Sequence, residues 1–458
     1  MNELVIFLQS LPEAFKIGFI YSIMVMGVYL TYKILDFPDM SVDGTFPLGG
    51  FIFAAFSLST TGFFGITSPV MGLILAVIGG MIAGLITGAL HVYLKINGLL
   101  AGILVMTGLY SINSRIVGMP NVFISPERSI YEIVSFEKNF IPFVIILIFL
   151  LILKGFYDYK IKANKYMFVS MGVYIVSTIA LIVYVALTKD VKLMLTIIIA
   201  FVIKMIIDYI LTSKFGFALR ALGNNEQLVI SLGVNQKRLK IFGLMISNGV
   251  VALSGALFAQ NLKVADLQSG VGTIVIGLAA IILGLGVLKK SQLINEISIV
   301  TIGSLMYYFI INLALMSNTW TKSLFQAIKL PDNLIQILEI KPTDVKIITA
   351  IILTIILKAF GLNNIYIEIM IVLSLSTVLL IFTRPLVVKF LKPQNIKTNF
   401  DRILDMKGKI IKKVNLNDFG IVKVDGKEWR CYASKEIEVG KIVKIIKIDS
   451  NKLEVEEV

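Results

Sequence analysis

Val70-Met71-Gly72-Leu73-Ile74-Leu75-Ala76-Val77-Ile78-Gly79-Gly80-Met81-Ile82-Ala83-Gly84-Leu85-Ile86-Thr87-Gly88-Ala89-Leu90 contains no charged residue. Coiled as an α-helix, a stretch of about 20 such residues crosses the hydrocarbon of a bilayer. Gly80, Gly84 and Gly88 recur at every fourth position. That spacing puts them on one face, where absent side chains let another helix approach closely, so the ridge reads as a packing surface rather than a ligand contact. Further predominantly apolar stretches, some short for a full span, lie at Phe15–Ile34, Phe140–Leu153, Met167–Leu187, Leu193–Leu211, Ile241–Ala259, Thr273–Leu288, Ile297–Leu315, Ile347–Leu357 and Ile365–Phe382. The expected fold is a polytopic α-helical membrane protein of about 10–12 spans.

Composition agrees. The chain of 458 residues is 57% hydrophobic and 16% charged, with a mean hydropathy of +0.87, whereas soluble domains are about one quarter charged. Met1–Pro12 carries Glu3 and lacks a basic start and a small-residue cleavage site, so the first span is expected to insert directly and stay. The net charge of +14 resides in connections beside apolar spans, where it marks cytoplasmic loops rather than a nucleic-acid surface. One cysteine, Cys431, excludes an internal disulfide framework and fits a reducing compartment. The single histidine, His91, ends an apolar span beside Tyr93 and Lys95 and reads as interfacial or structural. One histidine makes neither a metal site nor a catalytic triad.

Polar residues that interrupt the apolar pattern carry the functional reading. Asp36-Phe37-Pro38-Asp39-Met40-Ser41-Val42-Asp43-Gly44-Thr45-Phe46-Pro47 places three carboxylates between two apolar runs. Pro38 and Pro47 are expected to forbid a continuous helix. Carboxylates are costly against lipid, and irregular backbone at membrane depth is tolerated against protein or a water-filled cavity. The segment is either an external polar loop or a pathway-lining break, and the second is preferred, with Asp36, Asp39 and Asp43 as pathway candidates. Asn97 and Asn113, flanking a small-residue segment that ends at Arg115, join them. A third interruption, residues 213–240, carries five basic residues in Lys214, Arg220, Lys237, Arg238 and Lys240 against one acid, Glu226. It is expected in the cytoplasm. Leu222, Leu228, Val229 and Leu232 predict a short amphipathic helix between glycines, suited to docking a cytoplasmic partner.

Gly216-x-Ala218-Leu219-Arg220-Ala221-x-Gly223-x-Asn225, then Ser231-Leu232-Gly233-Val234, a basic cluster, and Ser247-Asn248-Gly249-x-x-Ala252-Leu253-Ser254-Gly255-Ala256-Leu257 resemble ABC importer permeases of the branched-chain amino-acid and sugar permease superfamily. The resemblance implies that this loop is a coupling segment seated in a groove of a separate ATPase subunit, with Gly216, Arg220, Ala221, Gly223, Asn225, Gly233 and Lys240 in it. Asp36–Phe46, Lys95–Gly102 and Gly272-Thr273-Ile274-Val275-Ile276-Gly277-Leu278-Ala279 look like a bacterial subgroup. That subgroup works with a lipoprotein-type solute-binding protein and is associated with amino-acid-like substrates, aromatic ones among them. The resemblance spans residues 12–120 and 190–360 and departs from the family pattern at 123–190, an expected insertion of two extra spans. A phosphate loop is missing: Gly284-Leu285-Gly286-Val287-Leu288-Lys289-Lys290-Ser291 has the wrong glycine spacing. No cofactor is therefore expected in this chain, ATP and magnesium being bound by the partner ATPase. The three carboxylates have no base, nucleophile or metal cluster beside them, so a transport subunit is expected rather than an enzyme.

The permease domain is expected over residues 1–360, a further span and linker over 361–397, and a soluble domain over 398–458. Gly408–Ile411, two strands about Asp425-Gly426, Lys441–Ile448 and Lys452–Val455 predict five short strands, the pattern of a small OB-type barrel. Phe382-Thr383-Arg384-Pro385, Thr398-Asn399 and Val424-Asp425-Gly426-x-x-Trp429 resemble the NfeD family, whose C-terminal barrel is thought to serve membrane-associated assembly. Trp429 and Tyr432 raise a nucleic-acid reading, but a tryptophan in a hairpin is more often core or protein interface. Arg384, Lys389, Lys392 and Lys397 argue for a cytoplasmic barrel, while the family's span count would carry it outside; the local basic cluster is preferred.

The function expected is the permease subunit of an ATP-driven importer of a small solute such as an amino acid, acting as a homodimer in the bacterial cytoplasmic membrane. The alternative is a membrane scaffold that recruits partners through the barrel and has lost transport. An ATP-independent carrier is disfavoured by the coupling-loop resemblance.

Overall fold

The computed structural model describes residues 3–59, 61–62, 65–161, 164–231, 233–288, 294–327, 406–415, 419–449 and 452–457. They divide into two compact units, Met1–Ile371 and Val372–Val458. The expected spans Ile347–Leu357 and Ile365–Phe382, and the linker at 361–397, lie outside the described residues.

The first unit is a helical bundle. Its helices are α1 (Glu3–Tyr29, continued by a π turn Leu30–Ile34), α2 (Val42–Leu58), α3 (Pro69–Val92) and α4 (Gly98–Val117). A short strand β1 (Asn121–Phe123) and a one-turn helix α5 (Ile130–Ile133) follow. Next come α6 (Phe136–Ile161), α7 (Asn164–Thr188), α8 (Val191–Thr212), α9 (Lys214–Asn224), α10 (Glu226–Ser231) and α11 (Gln236–Leu262). Strand β2 (Val264–Asp266), α12 (Thr273–Val287) and α13 (Glu296–Ala327) follow among the described residues. Among the described residues, 9 helices are long and apolar enough to cross a membrane, and α2 is a shorter apolar helix. The boundaries have local causes. Asn97, Asp190, Ser213 and Asn235 each accept a hydrogen bond from the first turn of α4, α8, α9 and α11, satisfying amides that the helix leaves open.

Helix α11 is the axis on which the bundle is assembled. Ser247 Oγ donates to the Gly27 carbonyl at 2.8 Å and Ser254 Oγ to the Ile20 carbonyl at 2.7 Å. α1 therefore runs antiparallel to α11. The glycine ridge of α3 lies against the same helix: a Cβ at Gly80 would stand 2.3 Å from the Asn248 carbonyl, and one at Gly84 2.2 Å from that of Leu244. The ridge packs as its spacing predicts. On another side Thr45 Oγ1 of α2 donates to Asn248 Oδ1 at 2.8 Å. The Ser247–Leu257 motif is thus a set of small contacts that lets three helices close on one.

At the end of the bundle away from the basic loop, β1 and β2 pair antiparallel, Val122 opposite Ala265. Glu132 of α5 accepts from Lys192 of α8 at 2.9 Å and pairs with Lys263, beyond α11, at 3.1 Å. Hydrogen bonds from these two ammonium groups hold its carboxyl below the ordinary value of 4.5.

The second unit is a closed barrel of β3 (Lys407–Lys412), β4 (Gly420–Val424), β5 (Lys427–Tyr432), β6 (Ile442–Asp449) and β7 (Lys452–Glu457), ordered β3-β4-β5-β7-β6. β4 and β5 turn about Asp425 and Gly426, both at positive φ, the backbone that matches a hairpin's twist. Alternate residues, including Ile410, Val422, Val424, Val443, Ile445, Leu453 and Val455, fill the interior. Cys431 lies among them, and burial pushes its thiol up to about 11. Trp429 packs half-buried against this core.

Candidate functional site

The polar break after α1 is folded into the protein. Asp36 has φ 52°, in the left-handed region, and its exposed side chain borders a cavity of about 420 Å³. Pro38, His91, Asn97, Gly223 and Lys240 also line it. Two pathway candidates and two coupling candidates therefore meet at one cavity, although no spacing in the sequence links them. Asn97 Oδ1 also accepts from Leu99 N at 3.0 Å, which starts α4. His91 Nδ1 is 2.9 Å from the Ile96 carbonyl, and its ring meets Phe37 edge-on.

Asp39 is buried. Its Oδ1 accepts from Ser41 N and Oγ, and its Oδ2 from Asn248 Nδ2 at 2.8 Å. It anchors the break to the middle of α11. Asp43 sits in the first turn of α2, and its carboxylate accepts from Gly272 N, Thr273 Oγ1 and Ile274 N at 2.8, 2.9 and 2.8 Å. It therefore caps α12, whose own Gly272 supplies no side-chain cap. Two helices, α2 and α12, begin at this carboxylate, and the partial positive charge of both N-termini is met there. Asn113 Nδ2 donates to the Gly44 carbonyl at 3.0 Å, joining α4 to the same turn, while its buried Oδ1 has no partner among the described residues.

Pro47 corrects an expectation: it lies inside α2 rather than ending a helix. A proline at this position frees the carbonyl four residues back, that of Asp43. Gly270 packs there, where a Cβ would stand 1.9 Å from the Asp43 carbonyl oxygen. The single amphipathic helix expected around Leu222–Leu232 is likewise two, α9 and α10, parted at Asn225, the exposed residue that ends α9. Leu222 and Val229 are buried. Leu232 is outside the described residues.

α9 lies tight against the bundle. A Cβ at Gly216 would stand 2.4 Å from the Ile210 carbonyl, and one at Gly223 2.2 Å from that of Ile34, at the π turn. Ala221 is half-buried. Arg220 turns inward: its Nη2 is 3.4 Å from Glu296 Oε2, the first residue of α13, which also accepts from Tyr29 Oη at 2.8 Å. Lys240 donates to Glu226 at 2.9 Å, tying α11 to α10. Gly233, at φ 72°, makes the turn into α11. Phe217 and Ile230 remain 61% and 50% exposed, in the same connection as the basic Lys214, Lys237 and Arg238.

Sequence reasoning missed Tyr29 and Glu296 and quoted Asn248 and Thr273 only within motifs, because their roles arise from partners more than 200 or, for Glu296 with Arg220, 76 residues away. It also missed Lys154, Asp158, Lys204 and Asp208, buried inside α6 and α8. Two Lys–Asp pairs at i,i+4 within apolar spans were a signal on the sequence.

Residues 14–330 match the model of the family described as branched-chain amino acid transport system / permease component. The chain belongs to this permease family. Residues 400–457 match an NfeD-like C-terminal, partner-binding domain, so this permease ends in a barrel of that type. A tyrosine transport system permease protein of Clostridioides difficile (strain R20291) is 36% identical over 344 residues, covering 75% of this chain and 89% of that protein. An uncharacterised protein of Rickettsia prowazekii (strain Madrid E) is 28% identical over 300 residues, covering 64% of this chain and 84% of its own. This permease is thus a multi-pass membrane protein of a transport family. Among its described residues, no group of three or more His, Cys, Asp or Glu is placed to hold a metal ion.

Proposed function

We propose that this permease is the membrane subunit of an ATP-driven importer of an amino acid, with α9 and α10 as the surface that receives a separate ATPase. The observation that carries the reading is the seating of α9. One face binds the broken span through Gly223 and α13 through Arg220–Glu296, while Phe217 and Ile230 stay open at the basic end. Force applied to that open face reaches the break and α13 without passing through a flexible connection. ATP and magnesium belong to the partner, a solute-binding lipoprotein delivers the substrate, and two copies enclose the path across the bacterial cytoplasmic membrane. The basic end and the barrel lie in the cytoplasm. The cavity beside Asp36 and Asn97 is the inner end of the path, with Asp39, Asp43 and Asn113 holding the break in shape. The tyrosine permease relative favours an aromatic amino acid.

The test is uptake of labelled tyrosine by membrane vesicles carrying this chain with an ATPase and a binding protein. Uptake that needs ATP and is lost in Gly223→Val supports the reading. ATP-dependent uptake that survives this substitution unchanged refutes the role of α9.

The partner-binding barrel favours a second reading, a scaffold without transport. It predicts that partners co-purify through residues 400–457 and that no solute moves under any of these conditions.

A further inference from the structure

The hairpin α6–α7 turns much of its surface outward: Phe149, Ile152, Phe156, Phe168, Val173 and Val176 are all exposed. Its inner face is polar. Lys154 Nζ donates to Asp158 Oδ1 at 2.5 Å, and Ser170 of α7 donates to Asp158 Oδ2 at 2.9 Å. On the facing span α8, Lys204 Nζ donates to Asp208 Oδ2 at 2.7 Å. The four charged side chains are at most 7% exposed. The two spans are knit together: Tyr157 Oη of α6 donates to the Asp208 carbonyl at 3.3 Å, and the Tyr174 ring of α7 meets that of Phe201 on α8 edge-on, 5.7 Å between centroids. The Lys154 ammonium stands over the Tyr157 and Tyr174 rings, 5.0 and 5.3 Å from their centroids.

Placement gives this network a consequence. Lys204 and Asp208 occupy the last turns of α8, about 13 Å and 7 Å of helical rise before Ser213, which caps α9. Thr212 Oγ1 donates back to the Asp208 carbonyl at 3.0 Å, and Ser213 Oγ to that of Ile210 at 2.6 Å. Gly216 then lets α9 fold directly against the end of α8. The corner between span and surface helix is consequently continuous with the hairpin through packed and hydrogen-bonded groups. Four charges inside a membrane domain are costly unless all are paired, so the hairpin cannot leave α8 without exposing them.

We propose that Lys154, Asp158, Lys204 and Asp208 are positioning residues, and that the α6–α7 hairpin is a brace that makes the α8–α9 corner a rigid lever. This rests on the reading of α9 as the surface that receives the ATPase. The brace fixes the angle at which α9 is presented, so that displacement of α9 moves α8 with it rather than being lost in bending.

The experiment is amide hydrogen exchange on the purified full chain in nanodiscs, comparing α9 with α4. Single-charge variants strand a buried partner and are prone to misfold, so pair replacements are used. Lys204→Met with Asp208→Leu, and separately Lys154→Met with Asp158→Leu, are expected to speed exchange over residues 214–224 about tenfold while α4 is unchanged. The swapped pair, Lys204→Asp with Asp208→Lys, is expected to restore slow exchange. Unchanged exchange in α9, or an equal rise in α9 and α4, would overturn the proposal, the second marking a general loss of stability. Failure of the transport reading shows elsewhere, as absence of ATP-dependent uptake by the unaltered chain, and leaves these exchange rates as they are.

Discussion

Asp43 and Ile274 are joined by a 2.8 Å hydrogen bond from the Ile274 amide to Asp43 Oδ1, so the first turn of α2 caps α12, 231 residues further along the chain. Neither helix needs a loop side chain of its own there. The junction behaves as one unit because both carboxylate oxygens are used.

Asp43→Ala is therefore expected to destabilise the membrane domain by about 1–3 kcal/mol, a lost cap together with stranded donors at the start of α12. Asp43→Asn should cost less, since one amide oxygen still accepts. Thermal unfolding in nanodiscs of the two variants measures this; equal, unshifted midpoints would show that the cap is dispensable.

Gly84→Leu drives a side chain into the Leu244 carbonyl, 2.2 Å from where its Cβ must lie. Parting α3 from α11 is expected to cost about 1–3 kcal/mol or more, as in other overpacked interiors. Leu85→Ala, on the exposed face of the same helix, should leave the stability within about 0.5 kcal/mol of the parent. The contrast between these neighbours is the measurement.

Glu132 gives a pH dependence with a definite sign. Its carboxyl is lowered in the fold by Lys192 and Lys263, so this clamp contributes fully above the ordinary value of 4.5 and is lost as pH falls through the lower, folded value. Melting temperatures of the parent chain should fall below pH 4.5 more steeply than those of Glu132→Gln. Parallel curves would remove Glu132 as the cause.

Cys431 is buried in the barrel with its thiol pushed up to about 11. Maleimide at pH 8 should label it slowly in the folded chain and fast after unfolding in detergent, because the thiolate is the reactive form. Rapid labelling of the folded chain would mean that the barrel opens.

Arg220→Ala removes the contact of α9 with Glu296 while leaving Tyr29 on the same carboxylate. Under the transport reading, ATP hydrolysis by the assembled complex should persist while tyrosine uptake falls about tenfold or more, a loss of about 1.4 kcal/mol of coupling. Loss of both together would place Arg220 in assembly instead.

Local chemistry was legible in the sequence. Apolar length makes a span wherever it occurs, the fourfold spacing of Gly80, Gly84 and Gly88 makes a contact face on any helix, and Asp425-Gly426 turns a hairpin through its own backbone preference. These features depend on neighbours a few residues away. The positions of Asp39 and Asp43 do not, and their carboxylates read on the sequence as facing a pathway. In the fold they pair with Asn248 and with the start of α12. Pro47 inside a helix and Arg220 turned toward Glu296 belong to the same class. The sequence by itself determined a chain of membrane spans, a basic helix-forming connection and a five-stranded barrel, because hydropathy, charge and turn propensity act locally. Only the tertiary structure decided which buried polar group meets which, because at membrane depth a charge or open amide must find its partner inside the protein, and that partner is chosen by helices distant in sequence.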